Sequence, residues 1–257
     1  METLLVERND GIVTVTMNRP EKKNAVNAVM WQELFEVFRA IRDNPDDRAV
    51  VLTGAGGAFC SGAELGVVGA GPPRHGLATM RNVNEVILTL HELPQPTIAK
   101  VGGVAAGAGC NLALGCDLIV ASDAARFSQI FVRRGLSVDA GGTWLLPRLI
   151  GLHKAKELAL FGDIISAADA KEMGLVNRVV PAAELDSFVA DWAGRLAAGP
   201  PISMAQTKRM LNASTERSMV DALHDEATAQ TVNFGTQDTP EAIAAFMAKR
   251  PPTFNGR

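Results

Sequence analysis

Over roughly the first 180 residues, short apolar runs alternate with glycine-rich or polar breaks; after that the pattern is helical throughout. Residues 4–7 and 12–17 flank Asn9-Asp10-Gly11, a hairpin turn signal. Asn27 caps a helix predicted to reach Arg42, with Met30, Leu34, Val37, Phe38 and Ile41 on one face. The run 48–53 reads as a buried strand and leads into residues 54–65, GAGGAFCSGAEL, a glycine-rich turn expected to enter a helix. Residues 66–76, GVVGAGPPRHG, read as a mobile loop, expected to cover a binding pocket. A helix over 80–93 is closed by Pro94 and Pro96. The organising stretch follows: strand 97–101, small residues 102–107, helix 108–114, strand 118–121. Beyond it come a short strand ending at Ser128, helices over 143–150, 154–161 and 166–173, the last capped by Ser166, and a strand over 176–180. Helices over 183–198, 200–213 and 218–234 and a final segment 240–249 complete the chain. Strand–helix units followed by helices predict an α/β core with a C-terminal helical appendage.

Composition narrows the classes. At 257 residues the chain suits one core plus an appendage, and a hydrophobic share of 47% excludes wholesale disorder. A net charge of −3 with scattered Lys and Arg argues against a nucleic-acid partner. No apolar run reaches the roughly 18–20 residues that span a bilayer, so no membrane partner is expected. The start, METLLVERNDG, lacks the pattern of a signal peptide. Cys60, Cys110 and Cys116 are odd in number and lack metal-ligand spacing, which fits buried thiols in a reducing cytoplasm. His75, His91, His153 and His224 are dispersed, and no metal site is expected.

The chemistry lies in a recurrence. Residues 54–65 and 102–114 are both glycine-rich, and both lead toward a helix. Small side chains let a guest approach the backbone, and the start of a helix leaves N–H groups unpaired. Two such turns side by side can aim one N–H each at a single oxygen, the fixed donor pair that a thioester enolate requires. A tightly packed turn without a guest has the same composition.

Six motifs occur in order across nearly the whole chain: NRPEKKNAVN, VVLTGAGGAFCSGAEL, PTIAKVGGVAAGAGCNLALGCDLIVAS, DAGGTWLLPRLIG, AADAKEMGLVNRVV and AAFMAKRPPTF. Together they resemble the enoyl-CoA hydratase/isomerase, or crotonase, superfamily. The resemblance implies an α/β fold, a spiral of repeated ββα units, with a C-terminal helical region. It divides the chain into a core over 1–195 that carries the acyl-CoA site and a trimerisation region over 196–257. It implies a homotrimer or dimer of trimers acting on an acyl-CoA thioester. Coenzyme A enters as part of the substrate, and no cofactor is permanently bound.

Residue by residue, the resemblance makes the backbone N–H groups of Ala63 and Ala108 the oxyanion donors. Ala108 stands where glycine is more common, which adds a Cβ beside the thioester. Lys23, Ala25, Glu64 and Leu65 would lie near the CoA moiety, and Phe246 and Lys249 would reach CoA across a subunit boundary. Without the resemblance, Lys23 reads as a solvated loop lysine, Phe246 as core and Lys249 as a helix-terminal charge. The two glutamates of the family's hydratases are missing: their positions hold Asn111 and Phe131, neither of which exchanges a proton near neutral pH. One acid remains, Asp139 in GLSVDAGGTWLLPR, similar to isomerases of the epoxyphenylacetyl-CoA isomerase type that read PD where this chain has Val138-Asp139. Asp139 is then a proton shuttle in an apolar setting that raises its pKa; the plain alternative is the N-cap of the following helix. Asn111 and Phe131 would shape the pocket. Asn111 either bonds an oxygenated acyl group or pairs with backbone. Arg133 and Arg134 either rim the pocket or form a solvated or subunit-interface pair.

Overall fold

The computed structural model describes residues 1–64 and 76–257. Leu65 and most of the expected pocket loop, up to His75, lie outside the described residues. The chain opens with the expected hairpin, β1 (Leu4–Asn9) and β2 (Ile12–Met17), paired antiparallel. Its turn residues Asp10 and Gly11 have φ of 49° and 77°, the left-handed values a tight two-residue hairpin demands. Helix α1 (Ala28–Arg42) starts at Asn27, whose side chain accepts from the Met30 N–H, and its five predicted core residues are all buried.

Strands β3 (Ala49–Gly54), β4 (Thr97–Val101), β6 (Leu118–Ser122) and β9 (Arg178–Val180) extend the hairpin into a six-stranded sheet, ordered β1-β2-β3-β4-β6-β9 and parallel after β2. Successive residues of these strands feed two cores. Val50 and Leu52, Ala99, and Ile119 and Ala121 enter the main core. Val51, Ile98 and Val120 enter a second core with Leu185, Val189 and Ala193 of α7 (Leu185–Ala197). A sheet covered on both faces explains why these strands read as unbroken apolar runs.

A three-stranded sheet stands beside it: β5 (Val104–Ala106), β7 (Arg126–Ser128) and β8 (Ile164–Ser166). The chain visits the large sheet, then the small one, then a helix, and repeats. β4 and β5 lead to α3 (Ala108–Leu114); β6 and β7 lead to α4 (Gly142–Ile150) and α5 (Leu152–Phe161). This is the expected spiral of ββα units. α6 (Ala167–Met173) carries the predicted Ser166 cap, reinforced by Asp169 into a capping box. Three differences from expectation stand out. β5 and β8 are strands where none was predicted, and α2 (Gly76–His91) begins four residues before the predicted start at Met80. The glycine turn after β3 continues as far as Glu64 without becoming helical. The C-terminal helices are α8 (Pro201–Ala213), α9 (Met219–Phe234) and α10 (Asp238–Met247). Among the described residues no helix is long and apolar enough to cross a membrane.

Candidate active site

The two glycine turns meet. Phe59 and Cys60 both donate their N–H to the Val104 carbonyl, at 3.0 and 2.9 Å, and the Ala106 N–H donates to the Cys60 carbonyl at 2.9 Å. The turn after β3 is thereby stitched to β5, just ahead of α3. Two glycines permit the approach. At Gly62 (φ +107°) a Cβ would stand 3.0 Å from the Ala106 carbonyl oxygen and 3.8 Å from the Ala108 nitrogen. At Gly109 it would stand 2.4 Å from the Cys60 carbonyl oxygen. Buried Asn24 holds the turn from beneath: Nδ2 donates to the Ala55 and Ala58 carbonyls at 2.9 and 2.8 Å, and Oδ1 accepts from the Arg19 N–H.

The same contacts free two amides. The Val26 N–H donates to the Gly62 carbonyl and the Glu64 N–H to the Val26 carbonyl, so the Ala63 N–H faces away from Val26. Ala108 is the first residue of α3, where an N–H has no intrahelical acceptor. Neither amide has an acceptor among the described residues. Two adjoining segments therefore each carry an unspent main-chain donor.

Asp139 lies in the segment entering α4. It does not cap that helix: the N-cap position is Gly141, with no side-chain cap bond. Its Oδ1 is buried without a hydrogen-bond partner, and burial alone pushes its carboxyl above the ordinary aspartate range. Its backbone carbonyl accepts twice, from the Gly142 N–H at 3.0 Å and from Asn111 Nδ2 at 2.7 Å. Asn111, fully buried on α3, also accepts from Gln129 Nε2 at 2.8 Å through its own oxygen. Asn111 thus pairs with backbone through its Nδ2. Phe131 is buried in the 3-10 turn Ile130–Arg134. A Cβ on Gly107 would stand 3.8 Å from its Cζ, so the ring lies against the turn that precedes Ala108. Ala108, Asn111, Phe131 and Asp139 thus gather around the short helix α3.

The family model described as Enoyl-CoA hydratase/isomerase matches residues 7–257. The chain belongs to the enoyl-CoA hydratase/isomerase family of enzymes. It is 40% identical to a probable enoyl-CoA hydratase of Rhodobacter capsulatus, over 99% of this chain and 98% of that one. It is 38% identical to the 1,2-epoxyphenylacetyl-CoA isomerase of Escherichia coli over the full length of both. The crystal structure of an enoyl-CoA hydratase from Bacillus anthracis superposes with a TM-score of 0.95 at 32% identity, over 99% of this chain and 100% of that one.

The remaining residues that the family pattern singles out fall into two groups. Lys23, exposed and left-handed (φ 50°), ends the 3-10 turn Pro20–Lys22 and accepts from the Ser61 N–H through its carbonyl. The Ala25 carbonyl and the Glu64 carboxylate share one donor, Arg19 Nη1, at 2.7 and 2.9 Å, and that guanidinium holds the Glu64 carboxyl below its ordinary range. These three residues sit beside the Ala63 turn. Phe246 and Lys249 do not. They lie at the end of α10, which packs on α9, and Phe246 is 82% exposed, not the core residue its apolar character alone would make it. Arg133 is paired with Asp163 and with the Phe161 carbonyl on the chain's exposed surface; Arg134 is exposed.

Sequence reasoning missed Arg19, Asn24 and Gln129. Arg19 and Asn24 stand inside the NRPEKKN motif and were open to notice there; Gln129 carries no local signal. The three cysteines are buried and free, with thiol pKa values pushed by burial up to about 12, so none is a nucleophile near neutral pH. Among the described residues no cluster of His, Cys, Asp or Glu could hold a metal ion.

Proposed function

We propose that this enzyme moves a double bond in an enoyl-CoA thioester between the α,β and β,γ positions. The observation that carries the reading is Asp139, a half-buried carboxyl with one buried, unpartnered oxygen beside α3, where the two glutamate positions of the hydratase pattern hold Asn111 and Phe131. The Ala63 and Ala108 N–H groups would hold the thioester oxygen, which acidifies the adjacent carbon. Asp139 takes a proton from one carbon, the charge spreads over a dienolate held by the two amides, and the same proton returns two carbons away. One carboxyl suffices because the step is a transfer with no net gain or loss of water. Phe131 offers an apolar wall that keeps water from competing.

Lys23, Ala25, Glu64 and Leu65 are assigned to the CoA moiety, and Phe246 and Lys249 to the CoA of a neighbouring subunit. The exposure of Phe246 supports that assignment, as does α8, which buries none of its residues within the chain. We accordingly assign residues 196–257 to assembly into a homotrimer or dimer of trimers and residues 1–195 to the catalytic core. The buried free thiols fit a cytoplasmic setting, and the reaction needs no cofactor besides the CoA of its substrate.

Hydration is the second reading, favoured by the name of the Rhodobacter relative; it would need Asp139 and Asn111 to position water, although both polar ends of Asn111 are already engaged. Incubating the enzyme separately with 3-enoyl-CoA and 2-enoyl-CoA tests the choice. Conjugation of the 3-enoyl substrate without 3-hydroxyacyl-CoA supports isomerisation. Accumulation of 3-hydroxyacyl-CoA with no double-bond migration overturns it.

A further inference from the structure

We propose that Asn111 and Gln129 form a positioning relay that locks the peptide carrying Asp139, so that the residue standing in a glutamate position aims the remaining carboxyl instead of touching substrate. The inference rests on Asp139 being the base and deepens that reading.

The direction of the relay is dictated by one end of it. The Asp139 carbonyl can only accept, so the Asn111 amide must present Nδ2 to it, at 2.7 Å. Asn111 Oδ1 is then turned the other way and must receive a donor, which Gln129 Nε2 supplies at 2.8 Å. That choice turns Gln129 Oε1 outward from the pair, and it is the Gln129 atom left buried without a partner. Both polar ends of Asn111 are therefore engaged inside the protein, and the residue has no exposed surface. A substrate contact would require breaking one of these bonds.

What the relay holds is a strained corner. Ala140, directly after Asp139, is left-handed at φ 48°, and Gly141 follows at φ 80°. A non-glycine residue in that region reverts readily unless its neighbours fix it. The Asp139 carbonyl, bonded at once to Gly142 N–H and Asn111 Nδ2, fixes the peptide plane on which the Ala140 turn and the Asp139 Cα depend. The fit is close: at Gly142 a Cβ would stand 2.4 Å from Asn111 Nδ2, so α4 begins against the amide itself. The pattern also accounts for a neutral residue at position 111. A carboxylate there would face the Asp139 carbonyl, oxygen to oxygen, and would repel the Asp139 charge as well.

The test compares wild type with Asn111→Asp, Asn111→Leu and Gln129→Met, following kcat, KM and the pH profile of 3-enoyl-CoA isomerisation, with thermal melting as the check on folding. Asn111→Asp should lower kcat at least about thirtyfold with KM changed less than about threefold, and should move the acidic limb of the profile upward. Asn111→Leu and Gln129→Met should lower kcat with KM similarly spared. Folded Asn111 variants with wild-type kcat and an unmoved profile overturn the relay. If the Asn111 variants do not fold, a crystal structure of the wild-type enzyme with a non-isomerisable acyl-CoA decides. Asn111 Nδ2 on the Asp139 carbonyl supports the relay; Asn111 turned onto the acyl chain overturns it. Asp139→Asn run alongside separates the two ideas: full turnover in that variant removes the base itself, whereas an inactive Asp139→Asn beside wild-type-like Asn111 variants removes only the relay.

Discussion

At the scale of single residues, the proposed chemistry depends on a half-buried acid with one oxygen out of contact with water. Asp139 has a buried, unpartnered oxygen and a raised pKa, the opposite of what a capping aspartate would show. Its stability consequence has a definite sign. The native protein holds the Asp139 proton to higher pH than the unfolded chain, whose aspartates titrate near about 3.9. Between that value and the raised one the folded state binds more protons, so stability falls as pH rises through the interval. Asp139→Asn escapes this loss. Scanning calorimetry should find its Tm above that of wild type at neutral pH, with the margin closing at pH values below the ordinary aspartate range. A lower Tm for the variant at neutral pH would show that the carboxylate is stabilising where it stands. Asp139 itself was legible in the sequence from its motif. Its partners were not: Gln129 lies 18 residues from Asn111 and Asn111 28 from Asp139, and no local spacing rule links them.

At the scale of elements, the legible parts were those with a strong local signal. Helix α1 has an Asn27 cap and a continuous apolar stripe, and strands β3, β4 and β6 are apolar runs bounded by turns. β5 and β8 have only three residues each, and the Val104-Ala105-Ala106 of β5 is hidden among small residues. Their strand geometry comes from pairing with β7, a tertiary contact that sequence windows do not contain. β5 nonetheless matters most for the site, since it joins the turn after β3 to the start of α3. The first position of a helix tolerates proline, whose missing N–H was unpaired there anyway. Ala108→Pro should therefore keep α3 while deleting one proposed oxyanion donor. The expected outcome is a kcat lower by about 10²–10³-fold with a melting temperature near that of wild type. A folded Ala108→Pro enzyme with undiminished kcat would remove the Ala108 amide from the mechanism.

At the scale of the whole molecule, the core accounts for itself and the C-terminal helices do not. The two apolar cores close around the six-stranded sheet, whereas α9 buries only Ala229, and Met219, Phe234 and Phe246 are largely exposed. Polar bonds tie this region to the core: Lys208 reaches Asp117 at 2.7 Å, and Arg148 reaches Glu216 at 3.0 Å. Its apolar surface is what assembly would cover. Sedimentation should return a trimer or hexamer, and Phe246→Ser should raise KM for acyl-CoA by about tenfold, equivalent to about 1.4 kcal/mol, with kcat little changed. A monomer with full activity would remove the cross-subunit role of Phe246. The central proposition spans all three scales: two main-chain amides on adjoining segments would hold the thioester oxygen while one half-buried aspartate moves the proton. Its most direct test is the rate of double-bond migration in 3-enoyl-CoA by wild type and by Asp139→Asn. Loss of about 10²–10⁴-fold in kcat, with acyl-CoA binding retained, is the predicted result; migration by the variant at the wild-type rate would contradict it.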